Sequence, residues 1–548
     1  MNKLITLSLF LIFSLGIVSP PSVVADAEDW EIIVPGIEYR EFHLSGPNHV
    51  FVARLERGNP AVALESSIAQ GRLSGGTETV ANMAGRYDQT LNYCGGMWGG
   101  RNRVVVAING YYFDPYTGIP YQGQVYSGWY AKRFDDCETG SGGSGFAWNL
   151  DREAFIGASI SHPESKQLIT YANGATQTFD GVNVSRWTNE LILYTPQYDS
   201  NTRTDASGAE VLVEMSQPTL VSSEGMTGTV RDLRDGGGST PISFDHVVLS
   251  AHGTAKATLL ANVQVGDVIT VSQKIKSYET DCASPATGPD WTNAYASIGG
   301  AFFFLRNDVI QTFDDDLGAI TRHPRTAIAF SDSYIYFIVV DGRNPSFSIG
   351  MTIAELADFT QSTLQATYGI AEDGGGSSTM VVNGVVKNNT FCNNVYCEGK
   401  VFFPLVVRPS GGGKARSGSS TDLTPPQHSL SRWTVPVRSP NSVSSGKVAV
   451  MEGVERMVAN GMMMLVVEPM EQSLTFANGL PLITLETTEI RLGPGTNYAS
   501  LSSLPADASG VVLAHPLNGV LAKGSYWWKV DFGEVIGWVK EESLATTP

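Results

Sequence analysis

Polar side chains stand at the ends of three apolar segments, and their types suit chemistry on an anionic substrate. Asn109 ends the run VVVAIN, His323 and Arg325 lie in HPRTAIAF, and Asp341 and Arg343 follow YIYFIVV. Arginine binds phosphate through paired hydrogen bonds, and a carboxylate can take up a proton or stabilise a cation. Because neighbouring strands can bring such residues to one rim of a sheet, we expect a shared polar site. The same residues also fit an Arg325–Asp341 ion pair and a plain Asn-Gly turn.

The stretch AEDGGGSSTM, residues 371–380, places three consecutive glycines between two carboxylates and a run of hydroxyl side chains. Glycine suits unusual backbone dihedrals or the close approach of a ligand, and successive N–H groups can form an anion-binding nest. The loop joins a predicted helix end to a strand and lacks a GK[ST] motif, so it is not a nucleotide phosphate loop. On the residues alone, it fits either a structural turn or the wall of a binding site.

The elements that must position these residues predict a β-rich unit of mixed α/β (α+β) class with few helices. Thr352 and Glu355 form a T-x-x-E capping box that begins a helix, and Gly369 is its expected C-terminal cap. Asn383 and Gly384 predict the turn of a β-hairpin. The clearest predicted strands are 103–110, 325–330 and 334–343.

Length, charge and the N-terminus bound the class of protein. The chain has 548 residues and a formal net charge of −18, which predicts two or three domains and argues against a nucleic-acid partner. Lys3 precedes LITLSLFLIFSLGIV, a short apolar run followed by small residues. We therefore expect residues 1–27 to be a signal peptide cut after Ala25 or Ala27, with an uncleaved anchor as the alternative. The mature protein is expected to be secreted or in the cell envelope, without a transmembrane span.

The chain contains five cysteines, and export would permit disulfides. Cys392 and Cys397 could close a short loop, Cys94 and Cys137 could pair, and Cys282 would be left over. None of these spacings is typical of a zinc site, and the sequence contains no HExxH motif. The sequence therefore indicates no required cofactor, and a divalent metal requirement stays open.

Changes in composition divide the chain into segments. Residues 28–408 are the predicted large unit, and 409–447, rich in Gly, Ser and Pro, are a predicted flexible linker. The segment 448–477 is left unassigned. Residues 478–548 are predicted to be a small all-β domain.

The tail resembles the bacterial SH3-like domain, a small all-β barrel. This resemblance implies contact with cell-wall material or with other domains. The alternative is that the two tryptophans involved simply fill a small core. The residues that carry the resemblance are Arg491, Gly493, Pro494, Gly495, Trp528, Gly537 and Trp538.

The large unit resembles the phosphodiester glycosidase family over roughly residues 30–408. Members of this family remove a sugar from a sugar-1-phosphodiester and leave a phosphomonoester on the other partner. Five segments occur in the family's order: AINGYYF (107–113), GGAFFFLRND (299–308), RHPRTAIAF (322–330), FIVVDGRNPSFSIGMTIAELADF (337–359) and EDGGGSSTMVVNGVVKNN (372–389).

The resemblance implies roles for individual residues. Asp341 and Asp373 would be the catalytic carboxylates, and His323 would act as a further acid or phosphate ligand. Arg325 and Arg343 would bind phosphate, or one of them would support the site from behind. Which carboxylate stabilises an oxocarbenium-like state and which activates water is left open. The other implied substrate-binding residues are Asn109, Gly374, Gly375, Gly376 and Ser377.

Three departures from the family pattern concern the pocket. Tyr111–Phe113 replace a smaller Gly-Phe-Phe-like sequence, Glu372 stands where an apolar residue is common, and Ala329 replaces glycine. An alternative from another class is a non-catalytic envelope protein that binds anionic glycans through the same pocket. Two carboxylates beside an anion site favour the enzyme. We expect one cleft to contain Asn109, Arg325, Asp341 and Asp373.

Overall fold

The computed structural model describes residues 29–87, 90–92, 100–134, 143–217, 225–278, 290–392, 451–452 and 454–547. These residues form 38 β-strands and four α-helices, so the chain is β-rich with few helices, as the sequence predicts. None of the described helices is long and apolar enough to cross a membrane. The predicted signal peptide, the predicted linker, four of the cysteines and the side chain of Cys392 lie outside the described residues.

The first half of the chain contributes nineteen strands and two helices. Helix α1 (Val80–Tyr87) follows the fourth strand, and α2 (Gly253–Asn262) follows the seventeenth. The strands are β1 (Glu31–Val34), β2 (Ile37–Leu44), β3 (Asn48–Glu56), β4 (Val62–Ile68), β5 (Thr90–Asn92), β6 (Gly100–Asn109), β7 (Gln124–Tyr126), β8 (Trp129–Lys132), β9 (Gly145–Asn149), β10 (Ala154–Ser161), β11 (Leu168–Thr170), β12 (Thr176–Thr178), β13 (Gly181–Val182), β14 (Leu191–Tyr194), β15 (Ala209–Met215), β16 (Met226–Asp235), β17 (His246–Ala251), β18 (Val268–Ser272) and β19 (Lys276–Tyr278).

The second half contributes the remaining described strands, with helices α3 (Leu317–Ile320) and α4 (Ile353–Ser362). The strands are β20 (Ala294–Gly299), β21 (Ala301–Arg306), β22 (Val309–Ile310), β23 (Arg325–Phe330), β24 (Tyr334–Val340), β25 (Tyr368–Ala371), β26 (Met380–Val382), β27 (Val385–Val386), β28 (Phe391–Cys392), β29 (Met451–Glu452), β30 (Asn460–Pro469), β31 (Pro481–Thr484), β32 (Thr488–Arg491), β33 (Ser500–Leu504), β34 (Ser509–Val512), β35 (Val520–Ala522), β36 (Ser525–Asp531), β37 (Ile536–Lys540) and β38 (Leu544–Thr546).

The two apolar segments predicted at 325–330 and 334–343 form the centre of an eight-stranded sheet. Its order is β1-β2-β3-β24-β23-β25-β21-β22, and β23 and β24 are antiparallel neighbours. Every residue of β23 is buried, which explains a continuous apolar run instead of an alternating one. Since β24 ends at Val340, Asp341 begins the loop that follows, at the rim of the sheet.

The capping box that begins α4 is confirmed, but the predicted end of this helix is wrong. The Thr352 side chain accepts a hydrogen bond from the Glu355 N–H, and the Glu355 carboxylate accepts one from the Thr352 N–H. The helix ends at Ser362, because Gln365 adopts a φ of 56° and breaks the helical path. Gly369 lies instead in β25, where a Cβ would stand 2.5 Å from the Phe304 ring.

The hairpin predicted at Asn383 and Gly384 is confirmed. Both turn residues have positive φ, 48° and 76°, and they join the antiparallel strands β26 and β27. Positive φ at both central positions is the geometry that the Asn-Gly dipeptide favours in two-residue turns. Strand β26 also pairs with β6, so the hairpin links the segment after the glycine loop to the strand that ends at Asn109.

A strand from the unassigned segment completes this second sheet. Its order is β27-β26-β6-β30-β4, with β5 on the edge of β6, and β30 pairs with both β6 and β4. Met462 and Met464 enter the core on one face, and Met463 and Leu465 enter the core on the other. The first six residues of β30, Asn460 to Leu465, are therefore buried on both faces, and the strand belongs to the sheet that contains β4 and β6.

Two further sheets are formed by the strands from β7 to β20. One has the order β19-β10-β9-β20-β7-β8. The other, which we call the insert sheet, has the order β12-β11-β18-β16-β15-β17-β14-β13. A shared core joins these two sheets, with Trp129, Phe155 and Trp291 packed beside Val211 and Leu249.

The tail, residues 470–547, is antiparallel throughout, with the strand order β33-β32-β37-β36-β34-β31-β38 and β35 beside β36. Trp528 is buried in its core and packs against Phe476. Trp538 instead packs against Phe244, which lies just before β17 of the insert sheet, with ring centroids 5.8 Å apart. The likeness to an SH3-like barrel stays a prediction.

A single cut between residues 409 and 447 is expected to leave the two pieces associated. The reason is that β30 lies between β6 and β4 and exchanges backbone hydrogen bonds with both of them. A site for a specific protease placed in this segment allows the test. The fragments should separate on a denaturing gel and co-elute on size exclusion under native conditions. Release of the C-terminal fragment without denaturant would contradict this assignment of β30.

Candidate active site

Asn109 is a fully buried hub that joins three elements. Its Oδ1 atom accepts hydrogen bonds from the Thr326 hydroxyl of β23 at 2.7 Å and from the Thr379 N–H at 3.1 Å. Its Nδ2 atom donates to the Asp373 carbonyl at 2.7 Å. The sequence predicts Asn109 as a substrate-binding residue, and in the structure its amide is engaged by the protein itself. It positions the glycine loop relative to both sheets.

The glycine loop, residues 373–377, is pressed against its neighbours. A Cβ on Gly374 would lie 2.7 Å from the Pro324 carbonyl oxygen, and one on Gly375 would lie 3.0 Å from Nη2 of Arg343. Gly375 also has a φ of 65°, a left-handed backbone conformation that is strained for residues with a side chain. Gly374 and Gly375 therefore have a structural reason in this chain, and the same close packing brings Arg343 against the loop.

Asp373 is buried at the start of this loop. Its Oδ2 atom accepts a hydrogen bond from the Ser377 hydroxyl at 2.6 Å, and its N–H donates to the Gly110 carbonyl at 3.0 Å. Burial raises the pKa of Asp373 above its usual range, while the nearby charges of Arg456 and Arg343 act in the opposite direction. This carboxylate therefore stands in a poorly hydrated, positively charged setting.

Arg456 is the site residue that sequence reasoning missed. It lies in the segment left unassigned, four residues before β30, and its guanidinium carbon is 5.8 Å from the centre of the Phe113 ring. Among the charges that act on the Asp373 carboxyl, its effect is the largest. The available signal was an isolated Glu-Arg pair just before an apolar run, which has no distinctive spacing.

Asp341 is linked through one asparagine to Ser378, the residue that follows the glycine loop. Its Oδ1 atom accepts from Nδ2 of Asn388 at 3.1 Å, and the same nitrogen donates to the Ser378 carbonyl at 3.0 Å. Its Oδ2 atom accepts from the Asn389 N–H at 2.9 Å. Burial raises the pKa of Asp341 to about 6, against the lowering effect of these two hydrogen bonds.

Arg325 is held by backbone carbonyls, and the alternative of an Arg325–Asp341 ion pair does not occur among the described contacts. Its Nε atom donates to the Met351 carbonyl at 2.8 Å, and Nη2 donates to the carbonyls of Gly318 and Thr321 at 2.7 Å. Burial lowers the pKa of Arg325 to about 10. One side of its fork thus fixes the segment that contains α3.

His323 and Arg343 complete the charged side of the site. The backbone of His323 pairs with that of Met351, and burial together with the charges of Arg325 and Arg343 lowers the pKa of its imidazole. Arg343 is exposed and has a φ of 61°, a left-handed conformation that costs energy for a side chain of this size. His323 is consequently neutral near pH 7 beside two permanent cations.

The residue before Asp373 is an anomaly. Glu372 is buried, and neither of its carboxyl oxygens has a hydrogen-bond partner among the described residues. Burial raises its pKa well above the usual range, which favours the neutral acid. Within the described residues, no group of three or more His, Cys, Asp and Glu side chains could hold a metal ion.

An ordered hairpin, residues 111–121, follows Asn109 and Gly110 directly. Asp114 fixes its turn, because its carboxylate accepts from the Tyr116 N–H at 2.8 Å and its carbonyl accepts from the Gly118 N–H at 2.7 Å. Tyr116 nevertheless exposes 80% of its surface, and Tyr121 exposes 48%. The altered aromatic motif, Tyr111–Phe113, thus begins a hairpin in which two later tyrosine rings are exposed to solvent.

Comparison with known proteins gives one family match. Residues 225–407 match the family model described as phosphodiester glycosidase. This range contains His323, Arg325, Asp341, Arg343 and the glycine loop, and it excludes Asn109 and Arg456. Among curated proteins, no match is found.

Three solved structures match part of this chain with low scores. A hypothetical protein from Synechocystis is 16% identical with a TM-score of 0.45, and the match covers 80% of this chain and 64% of that protein. A putative exported protein from Burkholderia pseudomallei is 19% identical with a TM-score of 0.40, covering 63% and 71%. The catalytic domain of zebrafish N-acetylglucosamine-1-phosphodiester alpha-N-acetylglucosaminidase is 13% identical with a TM-score of 0.29, covering 67% and 80%.

Replacement of the hub is expected to destabilise the fold. In Asn109→Asp, an oxygen takes the place of the amide nitrogen that faces the Asp373 and Gly110 carbonyls, so a donor becomes an acceptor in a buried site. We expect the free energy of unfolding to fall by about 1–3 kcal/mol or more, measured by urea denaturation. Asn383→Asp, at the exposed hairpin turn, is the matched control and should be nearly neutral. Equal stability of the two variants would remove Asn109 from its positioning role.

Proposed function

We propose that the chain is a hydrolase that removes a sugar from a sugar-1-phosphodiester and leaves a phosphomonoester. The observation that carries this proposal is the buried carboxylate of Asp373, which lies within electrostatic reach of Arg343 and Arg456 at the glycine loop. The family match over residues 225–407 supports the same class of reaction. Two arginines thus act on this one buried carboxylate, from the loop after β24 and from the segment before β30.

The arginines at the glycine loop suit an anionic substrate. The formal net charge of the chain is −18, so its overall field repels anions and a phosphate site needs local cations. Arg343 is exposed and lies against the loop, which makes it the leading candidate for a forked contact with phosphate. Arg325 is more firmly tied to backbone carbonyls and would support the site from behind.

The proposed reaction breaks the bond between the anomeric carbon and the bridging phosphate oxygen. The electron pair of that bond stays on the phosphate oxygen, and the oxygen of water forms the new bond to the anomeric carbon. The transition state resembles an oxocarbenium ion, which a nearby carboxylate stabilises. Arginines that neutralise the departing phosphate reduce the need for a strong general acid.

Two groups are suited to accept the proton of the attacking water. Asp341 has a pKa of about 6, so it is mostly ionised at pH 7 while keeping useful basicity. His323 is neutral at that pH because burial and the nearby arginines lower its pKa. In this proposal Asp373 stabilises the cation, and Asp341 or His323 accepts the proton. Gly374, Gly375, Gly376 and Ser377 form the wall on the phosphate side.

The cellular setting follows from the N-terminal sequence. We propose that residues 1–27 direct export, which would place the enzyme outside the cytoplasm in the secreted or cell-envelope fraction. Contact of the tail with cell-wall material is proposed on the sequence resemblance alone.

Sugar release from a panel of sugar-1-phosphodiesters tests the function, and Asp373→Asn tests its chemistry. We expect this variant to lose about 10²–10⁴-fold in kcat, because it removes the charge that stabilises the transition state and leaves the volume unchanged. Its melting temperature should be preserved, since an asparagine oxygen can still accept from the Ser377 hydroxyl. Asp332→Asn, in an exposed turn, is the control and should keep full activity.

The same experiment separates the enzyme from the glycan-binding alternative. A wild-type protein that binds the phosphodiesters and releases no sugar from any of them would favour the non-catalytic envelope protein. An Asp373→Asn variant with an unchanged kcat would exclude Asp373 from the reaction. A preserved melting temperature is required for either conclusion.

The two predicted phosphate ligands are expected to respond differently to lysine. Arg343→Lys should reduce kcat/KM at least tenfold with little change in melting temperature, because lysine lacks the forked contact with phosphate. Arg325→Lys should instead lower the melting temperature, since it removes several hydrogen bonds to backbone carbonyls. Kinetics and thermal unfolding of both variants check this contrast. Full activity of Arg343→Lys would count against the phosphate-binding role.

A further inference from the structure

Tyr112 stands two residues after Gly110 and has no part in the proposed reaction. The Gly110 carbonyl accepts a hydrogen bond from the Asp373 N–H at 3.0 Å, and the Gly110 N–H donates to the Asn460 carbonyl at 2.8 Å. The hairpin of residues 111–121 therefore starts from a point that is tied to the glycine loop.

The backbone around Tyr112 is held in place. Its carbonyl accepts a hydrogen bond from the Tyr121 N–H at 2.9 Å, across the hairpin. The next residue, Phe113, is buried and pairs with Pro120 as an isolated β-bridge. The ring of Tyr111 contacts that of Tyr112 edge-on, with centroids 5.1 Å apart. The direction of the Tyr112 side chain is therefore set by the fold.

The hydroxyl of Tyr112 lies within electrostatic reach of Asp373 and Arg325. Burial raises the pKa of Tyr112 above its usual range, and the charge of Asp373 acts in the same direction, whereas Arg325 opposes them. Among the ionisable groups that act on the pKa of Arg325, Tyr112 has the largest effect. The hydroxyl thus keeps its proton at neutral pH and belongs to the same site as these two residues.

This hydroxyl has no hydrogen-bond partner among the residues that the structure describes. Tyr112 exposes 37% of its surface, so its side chain is not sealed inside the protein. A phenol that is fixed in direction, protonated and unpaired is a donor available to a ligand.

Arg325 has one nitrogen left over from its structural bonds. Its Nε and Nη2 atoms donate to backbone carbonyls, as described above. Its Nη1 atom makes no hydrogen bond to any described residue, and it is not one of the buried atoms without a partner. Nη1 therefore keeps access to solvent, although Arg325 as a whole is only 6% exposed. The side of the fork that does not hold α3 is open.

The nearby carboxylates do not take up these two donors. Asp316 accepts from the N–H groups of Gly318 and Ala319 at the start of α3. Asp373 accepts from the Ser377 hydroxyl of its own loop. Both carboxylates are thus engaged elsewhere, and the hydroxyl and the guanidinium nitrogen stay available together.

The chemistry of the pair favours an anionic ligand group. An arginine side chain contains only donors, and the protonated phenol beside it supplies one more. An anionic oxygen makes stronger, charge-assisted hydrogen bonds with such donors than a neutral oxygen does. Phosphate is therefore preferred over a sugar hydroxyl at this position.

We propose that the Tyr112 hydroxyl and the Nη1 atom of Arg325 donate hydrogen bonds to the phosphate group of the substrate. Tyr112 is then a further substrate-binding residue, which acts on the same group as Arg343. The hydroxyl serves as a hydrogen-bond donor and transfers no proton. The identity of the substrate rests on the proposed function, whereas the contact with phosphate is measurable without turnover.

Tyr112→Phe removes the hydroxyl and keeps the ring. In calorimetric titration with inorganic phosphate, we expect this variant to bind about tenfold or more weakly than the wild type, because a hydrogen bond to a charged group is lost. Its melting temperature should not change, since the hydroxyl has no partner among the described residues. Tyr116→Phe is the matched control, because it makes the same change in the same hairpin at a residue that is 80% exposed. This control should bind phosphate as the wild type does.

Arg343→Gln shows whether the titrated phosphate occupies the candidate site, and it should weaken binding as well. Loss of binding in Arg343→Gln with unchanged affinity in Tyr112→Phe would overturn the contact. An equal loss of affinity in Tyr112→Phe and Tyr116→Phe would overturn it too. The same holds for a wild type that has a normal melting temperature and binds no phosphate.

Sugar release is a separate measurement that distinguishes this contact from the proposed function. On a sugar-1-phosphodiester that the wild type hydrolyses, Tyr112→Phe should lower kcat/KM about tenfold or more, and Tyr116→Phe should not. A wild type that binds phosphate through Tyr112 and releases no sugar would contradict the proposed function and support the contact. An active wild type whose kcat/KM and phosphate affinity are both matched by Tyr112→Phe would contradict the contact alone.

Discussion

The side chain of Asn109 is the constraint on which the candidate site depends. One buried amide bonds to β23, to the backbone of the glycine loop and to Thr379, the residue just before β26. Both its donor and its acceptor are used, so no shorter or differently charged side chain can replace it without leaving a buried group unpaired. Because Asn109 ends β6, the register of the second sheet fixes the position of the loop relative to the first sheet.

Burial governs the electrostatics that this framework creates. The pKa of Asp373 is raised although Arg456 and Arg343 both act to lower it, and the pKa of Asp341 is raised despite two hydrogen bonds to its oxygens. In both cases the loss of hydration outweighs the favourable contacts. Carboxylates in this state are more basic than exposed ones.

The sequence predicts the local features of this fold well and the long-range ones poorly. The capping box of α4, the hairpin turn at Asn383 and the strands β23 and β24 all depend on neighbouring residues, and all are found. The predicted end of α4 is wrong because Gly369 is required for packing against Phe304, which lies 65 positions earlier in the chain. The sequence motifs include the glycine loop and its polar neighbours. Arg456 lies in none of these motifs, because it reaches the site only through the pairing of β30, which no local pattern predicts.

The position of the tail shows how directional contacts complete a packing that apolar surface alone would leave loosely defined. The contact between Phe244 and Trp538 buries area, and area by itself does not set an orientation. Asp245 accepts from groups on both sides of the junction, and a shifted tail would leave it buried and unpaired, at a cost of several kcal/mol. Aligned by these charges, the turn that contains Tyr498 helps to enclose one cavity with the loop after β4 and the segment before β17, so this cavity is a consequence of the same geometry that docks the tail.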